Sequence, residues 1–190
     1  KNLQFVESLI YISQYSGIPY IYDKKISQIS SEAKLLTNIL RKSNTLFKEL
    51  LKKKTIAYSY LKQRGISDEA LKIFNIGYAP DHKNLLKYLK LEGLSLEEIK
   101  KTDFLIKNNK GEFFGRFSNR ITFPIYNFSN DIVGFGARTI QDSKIKYINS
   151  QESLIFKKSQ LLYGLKENSE HIKLEKEIFL VEGYMDVIKL

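Results

Sequence analysis

The chain reads as an α/β protein, and three features of its sequence carry that reading. Apolar residues fall at helical spacing through most of the first hundred positions, and near Asp103 the period changes to that of strands and tight turns. A short apolar run, Ile178-Phe179-Leu180-Val181, then ends directly in Glu182-Gly183-Tyr184-Met185-Asp186. Such a run suits a strand covered on both faces, and ligand sites of α/β sheets lie at the carboxyl ends of such strands.

Taken in order, Leu3, Val6, Leu9, Ile10 and Ser13 follow a helical period that Gly17-Ile18-Pro19 stops. From about Ser31, the positions Leu35, Leu36, Ile39, Leu40, Leu46, Phe47, Leu50 and Leu51 predict one long helix, or two joined near Ser43 to Thr45. Thr55 to Lys62 is helical up to the break at Arg64-Gly65. Ser67 caps a short helix over Glu69 to Phe74, with Asp68 and Glu69 near the positive end of its dipole. Gly77 and Pro80 read as a stop, Lys83 to Leu91 as a helix, and Ser95 with Glu98 as a capping box for Leu96 to Lys101. Phe104-Leu105-Ile106 and Glu112-Phe113-Phe114 predict a hairpin around Asn108-Asn109-Lys110-Gly111, and Arg120 to Ile125 with Asp131 to Arg138 a second strand pair.

Composition narrows the classes. With 43% hydrophobic and 27% charged residues the chain has the balance of a folded soluble domain, and it holds no apolar stretch of membrane-spanning length and no signal-peptide pattern. A cytosolic protein fits best. The absence of cysteine rules out disulfides and thiolate zinc sites, and His82 and His171 alone do not complete one. The net charge of +10 points to a polyanionic partner, yet residues 1–66 hold 12 basic and only 4 acidic side chains, so most of the excess lies in the helical entry segment. The chain starts at Lys1 rather than Met and stops at Leu190 just after the acidic loop, which reads as a piece of a longer protein.

Two groups of residues carry chemistry. Glu182 and Asp186, four apart and with no Lys or Arg beside them, suit Mg²⁺ held by few carboxylates together with substrate phosphates. Arg116, Arg120, Arg138, Lys146 and Lys158 stand among aromatic and small residues, as in a groove that tracks phosphates and stacks bases. Tyr147 and Asn149, two apart on a strand, share a face from which to contact base, sugar or template.

Four phrases follow one another in the order of a known family: Gly115-Arg116-Phe117-Ser118-Asn119-Arg120-Ile121-Thr122-Phe123-Pro124-Ile125 with Gly134-Phe135-Gly136-Ala137-Arg138; Lys146-Tyr147-Ile148-Asn149-Ser150-Gln151-Glu152-Ser153; Phe156-Lys157-Lys158 leading to Leu162-Tyr163-Gly164-Leu165; and Val181-Glu182-Gly183-Tyr184-Met185-Asp186-Val187. The series resembles the catalytic core of the bacterial replicative (DnaG-type) DNA primases. The last phrase resembles the first acidic motif of the Toprim domain. Gln160 departs from the family, which usually has arginine there, and Lys157 often corresponds to a histidine.

The resemblance implies a mixed helical and β N-terminal subdomain of the catalytic core followed by the start of a Toprim fold. It divides the chain into a helical entry segment over 1–50, the subdomain over 51–170 and a truncated Toprim start over 171–190. It implies template-directed synthesis of short RNA primers on single-stranded DNA from ribonucleoside triphosphates. Glu182 and Asp186 would be the catalytic and metal-binding acids, for Mg²⁺ or Mn²⁺. Arg116, Arg120, Arg138, Lys146, Tyr147, Asn149 and Lys158 would guide template and nucleotide. The family places zinc in an N-terminal domain, a second acidic D-x-D motif on a later strand, and the replicative-helicase contact in a C-terminal domain, all outside this chain. The location implied is the bacterial cytosol, at the replisome, and this segment alone would catalyse little. Two alternatives remain: another Toprim enzyme, such as a plasmid or phage primase-helicase, and a non-catalytic single-strand-binding module.

Overall fold

The computed structural model describes residues 5–18, 24–107 and 111–190, which fall into two compact units, Lys1–Glu32 and Ala33–Leu190. In the first unit, helix α1 (Phe5–Ser16) ends where Gly17 takes a positive φ, and the Ser13 hydroxyl donates to the Ile18 carbonyl at 2.6 Å. Pro19 and the 108–110 part of the expected turn lie outside the described residues. Helix α2 (Lys24–Lys53) begins well before Ser31 and runs on without a joint. The hydroxyls of Ser43 and Thr45 do not break it because they donate back to the carbonyls of Ile39 and Arg41, at 2.9 and 3.2 Å. Lys52 and Lys53 fall in its last turn, where cations favour the helix dipole.

The shorter helices sit where their caps put them. They are α3 (Thr55–Gln63), α4 (Asp68–Ile73), α5 (His82–Leu91) and α6 (Leu96–Lys100). The Ser67 side chain accepts from the Ala70 amide, and the reciprocal Ser95–Glu98 capping box is complete. Strand β1 (Gly77–Ala79) occupies the segment that its glycine and proline had marked as a stop. Gly77 is there for close approach instead, since a Cβ on it would lie 2.5 Å from the Phe47 Cβ on α2.

Strands β2 (Leu105–Lys107) and β3 (Phe113–Gly115) form a separate hairpin. Strands β4 (Arg120–Tyr126), β5 (Ile132–Thr139) and β6 (Tyr147–Asn149) join β1 in an antiparallel sheet of order β1-β4-β5-β6. Its two central strands are buried along nearly their whole length, because each face is covered. One face is closed by α2, α5 and α6 through Ile39, Phe47, Leu89 and Ile99, packed on Phe104, Phe117, Phe135 and Ala137. The other carries Ile121 and Phe123, packed on Leu51, Ala57, Leu61, Phe74, Met185 and Ile188.

After α7 (Ser169–Glu175), the run Ile178–Val181 is not a strand: it pairs with nothing among the described residues, and Ile178, Phe179 and Leu180 are 59%, 76% and 80% exposed. A strand exists only through its ladder, and no parallel neighbour lies beside this one. Helix α8 (Tyr184–Lys189) closes the chain. Among the described residues no helix is long and apolar enough to cross a membrane.

Candidate nucleotide and nucleic-acid site

The acidic loop is held by its apolar neighbours. On α8, Tyr184, Met185 and Ile188 lie on the side that packs into the second core cluster, which leaves Glu182 and Asp186 exposed. The Tyr184 ring lies parallel to Phe123 at 5.2 Å and edge-on to Tyr163 at 4.6 Å. Its hydroxyl donates to Asn149 Oδ1 at 2.5 Å. The ring also rests on the bare backbone of Gly136, where any Cβ would come within 2.3 Å of it. Burial pushes the Tyr184 phenol up to about 12, so it stays a neutral donor at physiological pH. Asp186 folds back so that its Oδ2 occupies the place a Gly183 Cβ would need, at 2.7 Å.

Strand register explains which cations join this loop. Arg138 pairs with Tyr147 on β6 and with Ile121 on β4, so all three point to the face that carries Phe123 and Tyr184. The Arg138 guanidinium lies over the Tyr147 ring at 4.7 Å and the Tyr60 ring at 5.4 Å, and it donates to the Tyr147 hydroxyl. Tyr147 in turn stacks on Tyr184 at 6.4 Å. Arg138 Nε and the Tyr60 hydroxyl are buried with no hydrogen-bond partner, which leaves unspent polar capacity at this place.

Arg116 and Arg120 bond to the backbone around β6. Arg116 donates twice to the Asn149 carbonyl, at 2.9 and 2.8 Å, and lies 3.5 Å from the Asp103 carboxylate. Asp103 accepts from the Gln151 amide at 2.9 Å. Its carboxyl is pushed up by burial, which outweighs that amide and the Arg116 charge. Arg116 therefore braces β6 from below. Arg120, opposite Thr139 and so on the other face, donates to the carbonyls of Ile145 and Lys146 and borders a cleft of about 540 Å³ with Arg116, Phe114 and Lys144. Lys146 and Lys158 are exposed, and the Lys158 amide donates to Glu152 at 2.8 Å.

The structure thus brings Arg138, Tyr147 and Asn149 to the acidic loop, holds Arg116 and Arg120 as braces, and leaves Lys146 and Lys158 free at the surface. Sequence reasoning passed over Tyr184, whose role depends on Gly136 from a distant strand, and Asp103, whose partners lie far along the chain. Tyr60 carried only a helical-period signal. Glu182 and Asp186 take part in none of the described ion pairs, and the described residues contain no group of three potential metal ligands. Two exposed carboxylates with free oxygens fit a divalent cation that completes its shell with phosphate and water.

The site thus sits on a mixed core of helix and sheet, an antiparallel sheet packed on both faces with an acidic loop pinned beside the strand that carries Tyr147 and Asn149. Residues 46–169 match the model of the DNA primase catalytic core, N-terminal domain, and the chain belongs to that family. It is 36% identical to the DNA primase of Rickettsia felis over 192 residues, an alignment that takes in all of this chain and 32% of that protein. Its fold is similar to the DnaG primase catalytic domain bound to ssDNA, with TM-score 0.75 and 33% identity over 84% of this chain and 52% of that one. It is also similar to the zinc-binding and RNA polymerase domains of the Aquifex aeolicus primase, with TM-score 0.78 and 33% identity over 99% of this chain and 45% of that one. The chain spans about a third of the length of the curated relatives it matches.

Proposed function

We propose that this chain is the nucleotide- and template-binding part of a DNA primase, acting in synthesis of RNA primers on single-stranded DNA. The observation that supports the reading is Tyr184, which lies between Glu182 and Asp186 in the acidic loop, rests on Gly136, bonds to Asn149 and stacks on Tyr147. In this reading residues 171–190 open a Toprim domain, and 51–170 form the subdomain before it, preceded by the entry segment 1–50.

Primer extension joins a ribonucleotide 3′-oxygen to the α-phosphorus of the next triphosphate. The bond to the bridging oxygen breaks, and pyrophosphate leaves. In this reading Glu182 takes the hydroxyl proton or organises the group that does, with Asp186 in support. These two carboxylates would hold a Mg²⁺ or Mn²⁺ ion, which when bound neutralises charge on the triphosphate oxygens. Arg138 brings a guanidinium charge toward phosphate, Tyr147 offers a partly exposed ring to a base, and Lys146 and Lys158 supply mobile charge along the template. Arg116, Arg120 and Asn149 keep that strand in place. Zinc, the second acidic motif and a replicative-helicase contact belong to other parts of such a primase, which works in the cytosol at the replisome.

The test is Glu182→Gln in the intact primase. Primer synthesis is expected to fall by about 10²–10⁴-fold, the usual loss on removing a general acid or base, with the unfolding midpoint unchanged. Full activity in the folded variant would favour a non-catalytic single-strand-binding module instead.

A further inference from the structure

Tyr60, on helix α3, lies half-buried against the second core cluster. Its hydroxyl is buried with no hydrogen-bond partner, so the ring is what this residue contributes. Two guanidiniums rest against that ring. Arg64 follows one helical turn later, where its amide donates to the Tyr60 carbonyl at 3.1 Å, and its guanidinium carbon lies 5.3 Å from the ring centre. Arg138 comes from β5, with its guanidinium carbon 5.4 Å from the same centre and 4.7 Å from the centre of the Tyr147 ring. Arg138 is therefore held by two tyrosines, one on a helix and one on β6.

No carboxylate neutralises either arginine, since neither takes part in any described ion pair. Asp68, the acid that opens neighbouring α4, is engaged by the Tyr58 hydroxyl at 2.6 Å and by Lys62 at 3.4 Å. Lys189 on α8 adds a further cation, its Cε 3.8 Å from the place a Gly65 Cβ would take. Like charges gathered in this way repel, and a carboxylate among them would relieve the repulsion only by cancelling the charge. An aromatic face acts differently. Its quadrupole attracts and orients a guanidinium while leaving the charge available to an anion. Building on the proposed function, we propose that Tyr60 is a positioning residue for phosphate binding: its ring fixes Arg64 and Arg138 as an un-neutralised pair that takes a nucleotide phosphate, of the incoming triphosphate or of the template backbone. Tyr60 acts through the arginines and touches no substrate itself.

The experiment uses the intact primase and reads kcat, the KM for ribonucleoside triphosphates and the Kd of a single-stranded oligonucleotide at fixed salt. Tyr60→Leu should raise KM, Kd or both by about tenfold, with kcat within about threefold of the parent. A rise in KM alone assigns the pair to the triphosphate, and a rise in Kd alone assigns it to the template. Tyr60→Phe, which keeps the ring, should restore both to within about twofold of the parent. A ring-fluorinated phenylalanine keeps the shape but loses the negative face; at position 60 it should weaken binding about threefold, which decides the matter if Tyr60→Leu does not fold. With Arg64→Ala and Arg138→Ala already present, Tyr60→Leu should add less than about twofold. Three results would overturn the proposal: a fluorinated ring that serves as well as phenylalanine, equal losses from Tyr60→Phe and Tyr60→Leu, or an undiminished further loss once both arginines are gone. Glu182→Gln, assayed alongside, separates this from the primase reading, because full primer synthesis by that folded variant removes the reading whatever the Tyr60 variants do.

Discussion

The two faces of the β1-β4-β5-β6 sheet are built from similar rings to opposite ends. On one, Phe47, Phe104, Phe117 and Phe135 meet at centroid distances of 5.6–6.1 Å, mostly edge to face, and are fully or nearly fully buried. On the other, Phe123, Tyr163, Tyr184 and Tyr147 form a chain of contacts that runs from the buried centre to a partly exposed edge. Phenylalanine brings only apolar area and ring geometry, so its face is dry and holds the fold. Tyrosine adds a hydroxyl, and those of Tyr147 and Tyr184 meet Arg138 and Asn149, so this face ends in polar contacts that hold the acidic loop. One face supplies rigidity, and the other spends it on positioning charge.

If that division is right, Phe104→Ala should cost the most stability, about 3–5 kcal/mol, by opening a cavity against three other phenylalanines. Urea unfolding measures it. A cost below about 1 kcal/mol would show that the Phe face is not the core. Arg116→Ala comes next, at about 1.5–3 kcal/mol, because it strands the Asn149 carbonyl and the buried Asp103. Its loss of oligonucleotide binding would then accompany loss of structure, which separates a brace from a contact.

Tyr184→Phe should cost about 0.5–1.5 kcal/mol, the net worth of one hydrogen bond, while weakening primer synthesis through a looser acidic loop. It also carries a pH signature. The folded phenol titrates near 12 and an unfolded one near 10, so the native state holds a proton that the unfolded chain releases. This contribution is full below pH 10 and is lost as pH rises from about 10 to about 12. The slope of urea midpoint against pH in that window should be shallower in the variant, with Tyr126 and Tyr163, both raised by burial, accounting for the remainder. The smallest effect on folding belongs to Lys146→Ala, within about 0.5 kcal/mol of the parent. Single-strand binding should nevertheless lose about one unit from its salt slope. An unchanged slope would remove Lys146 from the template path.

Features set by neighbours in the chain were legible without a structure. The Ser67 and Ser95 caps, the change of period near Asp103, the β4–β5 hairpin and the order of the primase-like phrases all depend on residues a few positions apart. The acids Glu182 and Asp186 stood out by type and spacing. Features set by distant partners were not legible. Gly77 passed for a stop because Phe47, which demands its missing Cβ, lies thirty positions away on α2. Ile178 to Val181 had the composition of a buried strand, but composition creates no ladder, and without a neighbour the segment stays irregular, with Ile178, Phe179 and Leu180 exposed. The basic residues looked alike in sequence, and only register and burial separated Arg138 at the acidic loop from the bracing Arg116 and Arg120.

By itself, then, the amino-acid order determined the helices, the antiparallel hairpins, the family and the identity of the acids, because capping, periodicity and turn chemistry act over single turns of chain. Tertiary structure decided which basic residue shares the sheet face of Tyr184, why Gly136 carries no side chain, and where Asp103 spends its carboxylate. Those outcomes rest on burial and contact between residues that share no local pattern, and both are properties of the folded neighbourhood alone.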